Sequence, residues 1–270
     1  MKIIRVLISS TLVSIASSNA MATDDFEESV EAATPSKQYV ISFGIGGQFK
    51  PRYPGADDYL LSPFPIVDVS RFYVPGIGQV ADGNEEKRGF GFYPSFSFNG
   101  ERKPSDSVDL FGTTKIDWAF EAGLGVHYRQ DWFRGFAQIR QGFNGHDGQI
   151  GEIGLDFITQ PTDQVEIVFG PRLDWGSDEY SDTYFGVTAA EASTPGSTLA
   201  AYNPDGGIIS VGLAAGADYE FNEKTTFHLR ANWDRYVGDA ADSPIIKAGS
   251  EDQFSVGIGI SYRFNFDVFR

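Results

Sequence analysis

The chain has 270 residues, 37 acidic against 21 basic, no cysteine and an apolar fraction of 41%, below the roughly 45–50% usual for soluble domains. No apolar run reaches the ~18 residues that a membrane helix needs, and the missing cysteines exclude disulfides and thiolate metal sites. A net charge of −16 argues against a nucleic-acid partner, which requires clustered Lys and Arg to displace counterions.

Residues 1–22 read as an export signal: Lys2 and Arg5 are followed by the apolar Ile3–Ile15 region, and Ala20-Met21-Ala22 is a small-x-small cleavage site. Cleavage after Ala20 fits nearly as well. Residues 23–37, with Asp24, Asp25, Glu27, Glu28 and Glu31, form a flexible acidic lead-in. Residues 38–270 constitute one domain, and a period of two runs through it.

In chain order the alternation predicts strands over 39–49, 61–72, 88–99, 113–129, 132–143, 148–160, 164–176, 208–221, 225–237 and 253–266. In the fourth, Trp118, Phe120, Ala122, Leu124, Val126 and Tyr128 oppose Asp117, Glu121, His127 and Arg129. In the last, Phe254, Val256, Ile258, Ile260, Tyr262, Phe264 and Phe266 oppose Ser255, Gly257, Gly259, Ser261, Arg263 and Asn265. Each is a strand with one oily and one polar or small face.

Connections alternate too. Gln130-Asp131, Gln160–Asp163 and Asn222–Lys224 are tight, whereas 50–59, 99–112, 176–207 and 238–252 are long. Short turns at one end and long loops at the other describe an up-and-down antiparallel barrel. Ten strands are expected, or twelve if 73–87, long where a tight turn is due, holds another hairpin.

A soluble barrel would place Gly123, Gly125, Gly257, Gly259, Ser255 and Ser261 on its solvent face, where glycine weakens a strand and charges are expected. A transmembrane barrel places them inside and turns the oily face to lipid, with Tyr128, Trp132, Trp175, Tyr219, Trp233, Tyr262 and Phe264 in interfacial girdles. Strands of about eleven residues tilted ~45° also suit a bilayer. The all-β transmembrane reading is therefore preferred. The interior then carries Asp117, Glu121, Arg129, Arg134, Arg140, Glu152, Asp156, Glu166, Arg172, Asp174, Asp218, His228, Arg230, Asp234 and Arg263. In a lumen this narrow, such charges pair and fill it.

No residue is assigned a catalytic, cofactor-binding or metal-binding role. His127 and His228 fall on polar strand faces, where lumen hydrogen bonding accounts for them, and Ser210, Ser255 and Ser261 sit in no nucleophile motif. His146, in Asn144-Gly145-His146-Asp147-Gly148, belongs to a turn. Asp57-Asp58, Asp178-Glu179 with Asp182, and Asp239 with Asp242 lie in the long external loops, where a solvated acidic face competes with cation-bridged contact to lipopolysaccharide. Lipid and lipopolysaccharide of the cell outer membrane are thus the expected surroundings.

Several strings resemble the MltA-interacting protein family, also called the MipA/OmpV family of Gram-negative outer-membrane proteins. They are Tyr184-Phe185-Gly186-Val187-Thr188 with Ala189–Ser193 and Tyr202, then Gly238-Asp239-Ala240-Ala241-Asp242-Ser243-Pro244-Ile245-Ile246, then Ser261-Tyr262-Arg263-Phe264, and near the start Pro51-Arg52-Tyr53-Pro54-Gly55-Ala56. The likeness runs from about Phe43 to Phe264. One departure is the tail, Asn265 to Arg270, where the family commonly ends on an aromatic. The resemblance implies a non-enzymatic scaffold bringing a murein-degrading lytic transglycosylase together with a murein synthase. Adhesion and osmotic response are other family roles, and a small-solute or cation-selective channel is the competing reading of the lumen. For a scaffold, loop parity makes the periplasmic segment holding Gly76, Gln79, Asp82 and Glu85 a candidate partner contact. The Tyr184–Thr188 and Asp239–Pro244 strings are expected to meet as a lid over the opposite mouth.

Overall fold

The computed structural model describes residues 39–74, 78–82 and 88–268. The export signal and the acidic lead-in lie outside the described residues. Eleven antiparallel strands form one sheet: β1 (Tyr39–Pro51), β2 (Tyr59–Val74), β3 (Gly78–Asp82), β4 (Gly89–Asn99), β5 (Ala119–Arg129), β6 (Phe133–Asn144), β7 (Gln149–Thr162), β8 (Val165–Gly176), β9 (Gly207–Asn222), β10 (Thr225–Tyr236) and β11 (Asp252–Phe266). Their order is β3-β2-β1-β11-β10-β9-β8-β7-β6-β5-β4. Neighbours in sequence are neighbours in space, and β1 returns to β11 from Tyr39↔Phe266 to Phe49↔Val256. That is the expected meander, with its first and last strands joined.

The sheet is curled. Arg129 on β5 reaches Glu166 on β8 at 3.1 Å, although two strands lie between them. The concave side holds the charged and small residues. The convex side exposes Phe43, Ile45, Leu61, Phe92, Leu124, Ile153, Leu213, Leu229 and Ile258, as a lipid-facing wall must. Aromatic pairs border this apolar band at both ends. Phe90–Tyr128, Trp132–Phe157, Tyr219–Phe227 and Tyr39–Phe266 lie toward the short turns, and Phe49–Tyr59 and Phe98–Trp118 toward the long loops.

Two boundaries depart from the periodicity. The strand predicted over 113–129 starts at Ala119. Ile116 instead forms an isolated bridge with Arg102, drawn there because its side chain is buried under the long loops. Asp117 consequently leaves the interior and meets Lys115 Nζ at 2.6 Å outside it. Within the overlong segment 73–87 the described residues show β2 running on to Val74 and β3 turning back along it, Arg71↔Asp82 to Val74↔Gly78. Among the described residues the total is ten long strands and one short one.

The long loops are not coil. They contain a 3₁₀ turn (Val108–Leu110) and helices α1 (Asp178–Phe185), α2 (Ala189–Ala192), α3 (Gly238–Asp242) and α4 (Pro244–Ala248). Side-chain caps start them. Ser177 Oγ accepts from Tyr180 N, and Thr188 with Glu191 closes a reciprocal capping box. Ser243 Oγ accepts from Ile245 N ahead of Pro244 in the first turn of α4.

Candidate functional site

Two layers occupy the concave side, an ionic interior and a lid at the long-loop end. In the interior, β-strand alternation brings opposite charges from adjacent strands face to face. Glu121 accepts from Arg140 Nε at 2.9 Å and lies 3.3 Å from His146 Nε2, and all three are buried. Next to them Arg140 Nη1 reaches Ser95 Oγ at 3.3 Å and Asn99 Nδ2 donates to Glu121 at 2.6 Å. Deeper, Asp156 is held between Arg134 and Arg172, and both guanidinium groups sit over the Phe136 ring, at 5.6 and 5.0 Å. Arg172 also pairs with Glu152 at 3.5 Å. Arg129–Glu166 closes the sequence toward the short turns.

On the other wall Asp218 takes Arg230 and His228, with His228 Nδ1 2.7 Å from Asp218 Oδ1 and Nε2 2.8 Å from Ser261 Oγ. Sequence periodicity placed His228 and Ser261 on the same face but did not reveal this Asp-His-Ser row. Ser261 pairs with Gly44 on one side and Thr226 on the other, so its backbone sits in two ladders and supplies no oxyanion donor of the kind acyl transfer needs. Ser210 donates to Asp174 at 2.5 Å, and Asn232 to Ser255 at 3.1 Å. These are satisfied lumen hydrogen bonds.

Glycine makes room for the bulky members. A Cβ on Gly142 would stand 2.1 Å from the His146 ring, and one on Gly125 would stand 2.2 Å from Tyr93. His146, in the connection between β6 and β7, is thus a buried post between barrel and lid. Its ring packs edge-to-face with Tyr180 and Tyr184, with centroids 5.2 and 5.4 Å away.

The lid has two apolar clusters. Ile116, Ile150, Tyr180, Tyr184, Phe185, Ile209, Ala240 and Ile246 form the one against the barrel. Tyr53, Ala56, Leu110, Val187, Leu199 and Ile245 form the one above it. Burial and the nearby Glu121 carboxylate push the Tyr180 and Tyr184 phenols up, so both rings enter the cluster neutral.

The family-like strings meet here. Tyr184 and Phe185 end α1, Gly186 caps it, Val187 bridges to Tyr202, and Thr188 caps α2. Asp239 and Asp242 lie on α3, and Ser243 and Pro244 start α4. Ser243 Oγ donates to Phe185 O at 2.6 Å, and Tyr202 OH donates to Asp239 O at 2.9 Å. The loop after β1 joins them through Ser250 N to Gly55 O at 2.8 Å.

Four of the acidic loop residues have structural partners. Asp58 pairs with Arg52, and Asp242 with Lys247. Asp178 accepts from Gly206 N, and Asp239 from Asp205 N. Among the described residues no group of three or more His, Asp or Glu could hold a metal ion.

Arg102 is buried beneath the lid, where Nη1 donates to Tyr184 O at 2.8 Å, capping the carbonyl end of α1. It borders an open cleft of about 690 Å³ shared with Lys115, Asn144, Asp182, Glu191 and Tyr202.

Gln79 and Asp82 lie in β3, at the opposite end from the lid. Gly76 and Glu85 lie outside the described residues. The structure thus separates the described residues between the two ends: the family-like strings come together at the lid, and Gln79 and Asp82 are remote from them.

No curated protein matches this chain. Solved structures similar to this chain include the N-terminal β-barrel domain of Pseudomonas aeruginosa OprF, at 8% identity over 85% of this chain and 100% of that chain, with a TM-score of 0.31. An outer-membrane channel from Pseudomonas putida F1 matches at 9% identity over 89% of this chain and 100% of that one, with a TM-score of 0.43. Neisserial surface protein A matches at 8% identity over 84% and 98%, with a TM-score of 0.28. The sequence profile of the family described as MltA-interacting protein MipA matches residues 43–264, nearly all of the barrel and its lid, and the chain belongs to that family.

Proposed function

We propose that this outer-membrane barrel is a non-enzymatic scaffold that holds a murein-degrading lytic transglycosylase and a murein synthase on its periplasmic side. The observation that carries the reading is the division of labour between the two ends. The long-loop mouth is covered by a lid with its own apolar core, and the interior is crossed by paired charges. Among the described residues, the short-turn end carries β3, paired with the end of β2. An anchor closed along its axis by the lid and the paired charges suits holding partners better than passing solutes through its mouth.

Residues 1–22 would direct export and be removed, and Gly76, Gln79, Asp82 and Glu85 would mark the contact. Capture of the two murein enzymes by the detergent-solubilised full chain tests this, with a variant deleted for residues 76–86 expected to lose at least one of them. Undiminished capture by the deletion removes the contact, and failure of the intact chain to capture either enzyme removes the scaffold. The channel reading is separated by planar-bilayer recording. The scaffold predicts no sustained open steps, and their appearance would favour conduction through the acidic lumen.

A further inference from the structure

A sheet edge in a bilayer has no water to satisfy its N–H and C=O groups, so only a closed ladder is stable there. Here the two long strands at the sheet ends are β2 and β4, and among the described residues no ladder joins them. Since β1 lies between β2 and β11 and the order is a strict meander, β2 and β4 run antiparallel and can pair.

The hydrogen-bond phase shows what such a ladder would contain. Arg52 N–H donates to Asp58 O at 3.1 Å. Bonded and non-bonded pairs alternate along antiparallel strands, so Lys50↔Leu60, Gln48↔Ser62 and Gly46↔Phe64 are bonded pairs. Gly47↔Pro63 and Ile45↔Pro65 fall between them. The nitrogens of Pro63 and Pro65 therefore face away from β1, toward the free edge.

The same count works on the other side. Gln130 N–H donates to Phe133 O at 2.8 Å, which makes Tyr128↔Gly135, Val126↔Ala137 and Leu124↔Ile139 bonded pairs. Leu124 thus spends its N–H on β6, and its partner on β4, Pro94, turns its nitrogen to the free edge as well. Three N–H donors are missing, all from the two edges that must meet and all in mid-strand.

Pro171 on β8 provides the contrast. It too removes a donor inside the sheet, but Arg172 Nη1 donates to Leu155 O at 3.2 Å across the gap. At Pro63, Pro65 and Pro94 no ladder among the described residues supplies an opposite strand.

We propose that the barrel closes by pairing β2 with β4, and that this proline-depleted seam is a lateral gate, the line along which the wall opens to the bilayer. Beside it, on the β2 side, Phe64 and Ile66 are buried over Gly46 and Gly259, and on the β4 side Ser95 meets Arg140 of the buried cluster at 3.3 Å.

Because the chain lacks cysteine, the full-length protein in outer-membrane vesicles can be tested with Ser62→Cys combined in turn with Gly91→Cys, Ser95→Cys and Ser97→Cys. One combination is expected to form a disulfide within the chain on mild oxidation. Disulfides only between chains, or none in any combination, would overturn the closure. Hydrogen exchange tests the gate. Amides of β2 and β4 are expected to exchange about 100-fold faster than those of β9 and β10, and the Pro63→Val/Pro65→Val/Pro94→Val variant to reduce that ratio at least about tenfold. Equal protection of the two regions, or a ratio unchanged by the triple variant, would overturn it.

Discussion

The wall and the lid bury apolar side chains in opposite senses. In the wall, Leu124, Ile153, Leu213 and Ile258 point outward and are exposed, and the ions are inside. In the lid, Phe185, Val187, Leu110, Ile245 and Ile246 are enclosed, and the carboxylates are outside. One chain thus contains a membrane-type and a water-type solution to the same problem, and the two meet at Glu121, Arg140 and His146. The period along the sequence distinguishes them: two in the wall, none in the lid.

The sharpest way to break the contrast is to remove apolar volume from each side. Phe185→Ala should destabilise the lid by about 3–5 kcal/mol, since it opens a cavity in a closed core, and limited proteolysis should then cut between 176 and 207 while the barrel still migrates as folded. Leu213→Ala on the lipid face should leave both protections unchanged.

The junction comes next. Glu121→Ala strands a buried Arg140 and should cost about 3 kcal/mol or more, read as a lower temperature of heat-modified migration, with the lid loosened at the same time because His146 loses its carboxylate. Ile258→Arg carries a charge to the outer face and should cost about 2–4 kcal/mol near the midplane, visible as reduced insertion into vesicles. Its lid should remain protected once inserted.

Two smaller effects concern the lid alone. Thr188→Ala removes the cap of α2 and half of its capping box, for about 1 kcal/mol, measurable as faster cleavage after Ala192. The Glu191 carboxyl is held below its ordinary range, because the bonds it accepts from Thr188 and Thr114 outweigh its burial. A carboxyl depressed in the folded state contributes its stabilisation above its unfolded pKa and loses it as the pH falls through the folded value. Proteolytic protection of the lid should therefore be complete at neutral pH and decline in acid below the usual glutamate range. Glu191→Gln should remove that dependence.

Much of the wall was legible because alternation is a local property. Strands from Gly207 to Phe266 begin and end within about a residue of where the period places them. Ile116 and Asp117 were misplaced because lid burial, a long-range effect, overrode the alternation. The helices left weaker marks: Ser177 before Asp178-Glu179, Thr188 three residues ahead of Glu191, and Ser243 before Pro244 are readable caps, but no amphipathic run follows them. That His146 would be a buried post, and that Asp218, His228 and Ser261 would line up, depends on strand register, which composition does not encode.

The lid joins parts of the chain that are very far apart. Gly55 meets Ile246, Gln253 bonds Ala56, and Arg102 reaches Tyr184. The first two of these contacts join loops beside β1 and β11 and form only once those strands have paired. That side of the lid therefore follows the long-range pairing, and because its contacts span most of the sequence, its assembly should be slow. Its segments must cross the bilayer as open loops and consolidate on the far side, so a resistant lid is a sign that a molecule has finished inserting.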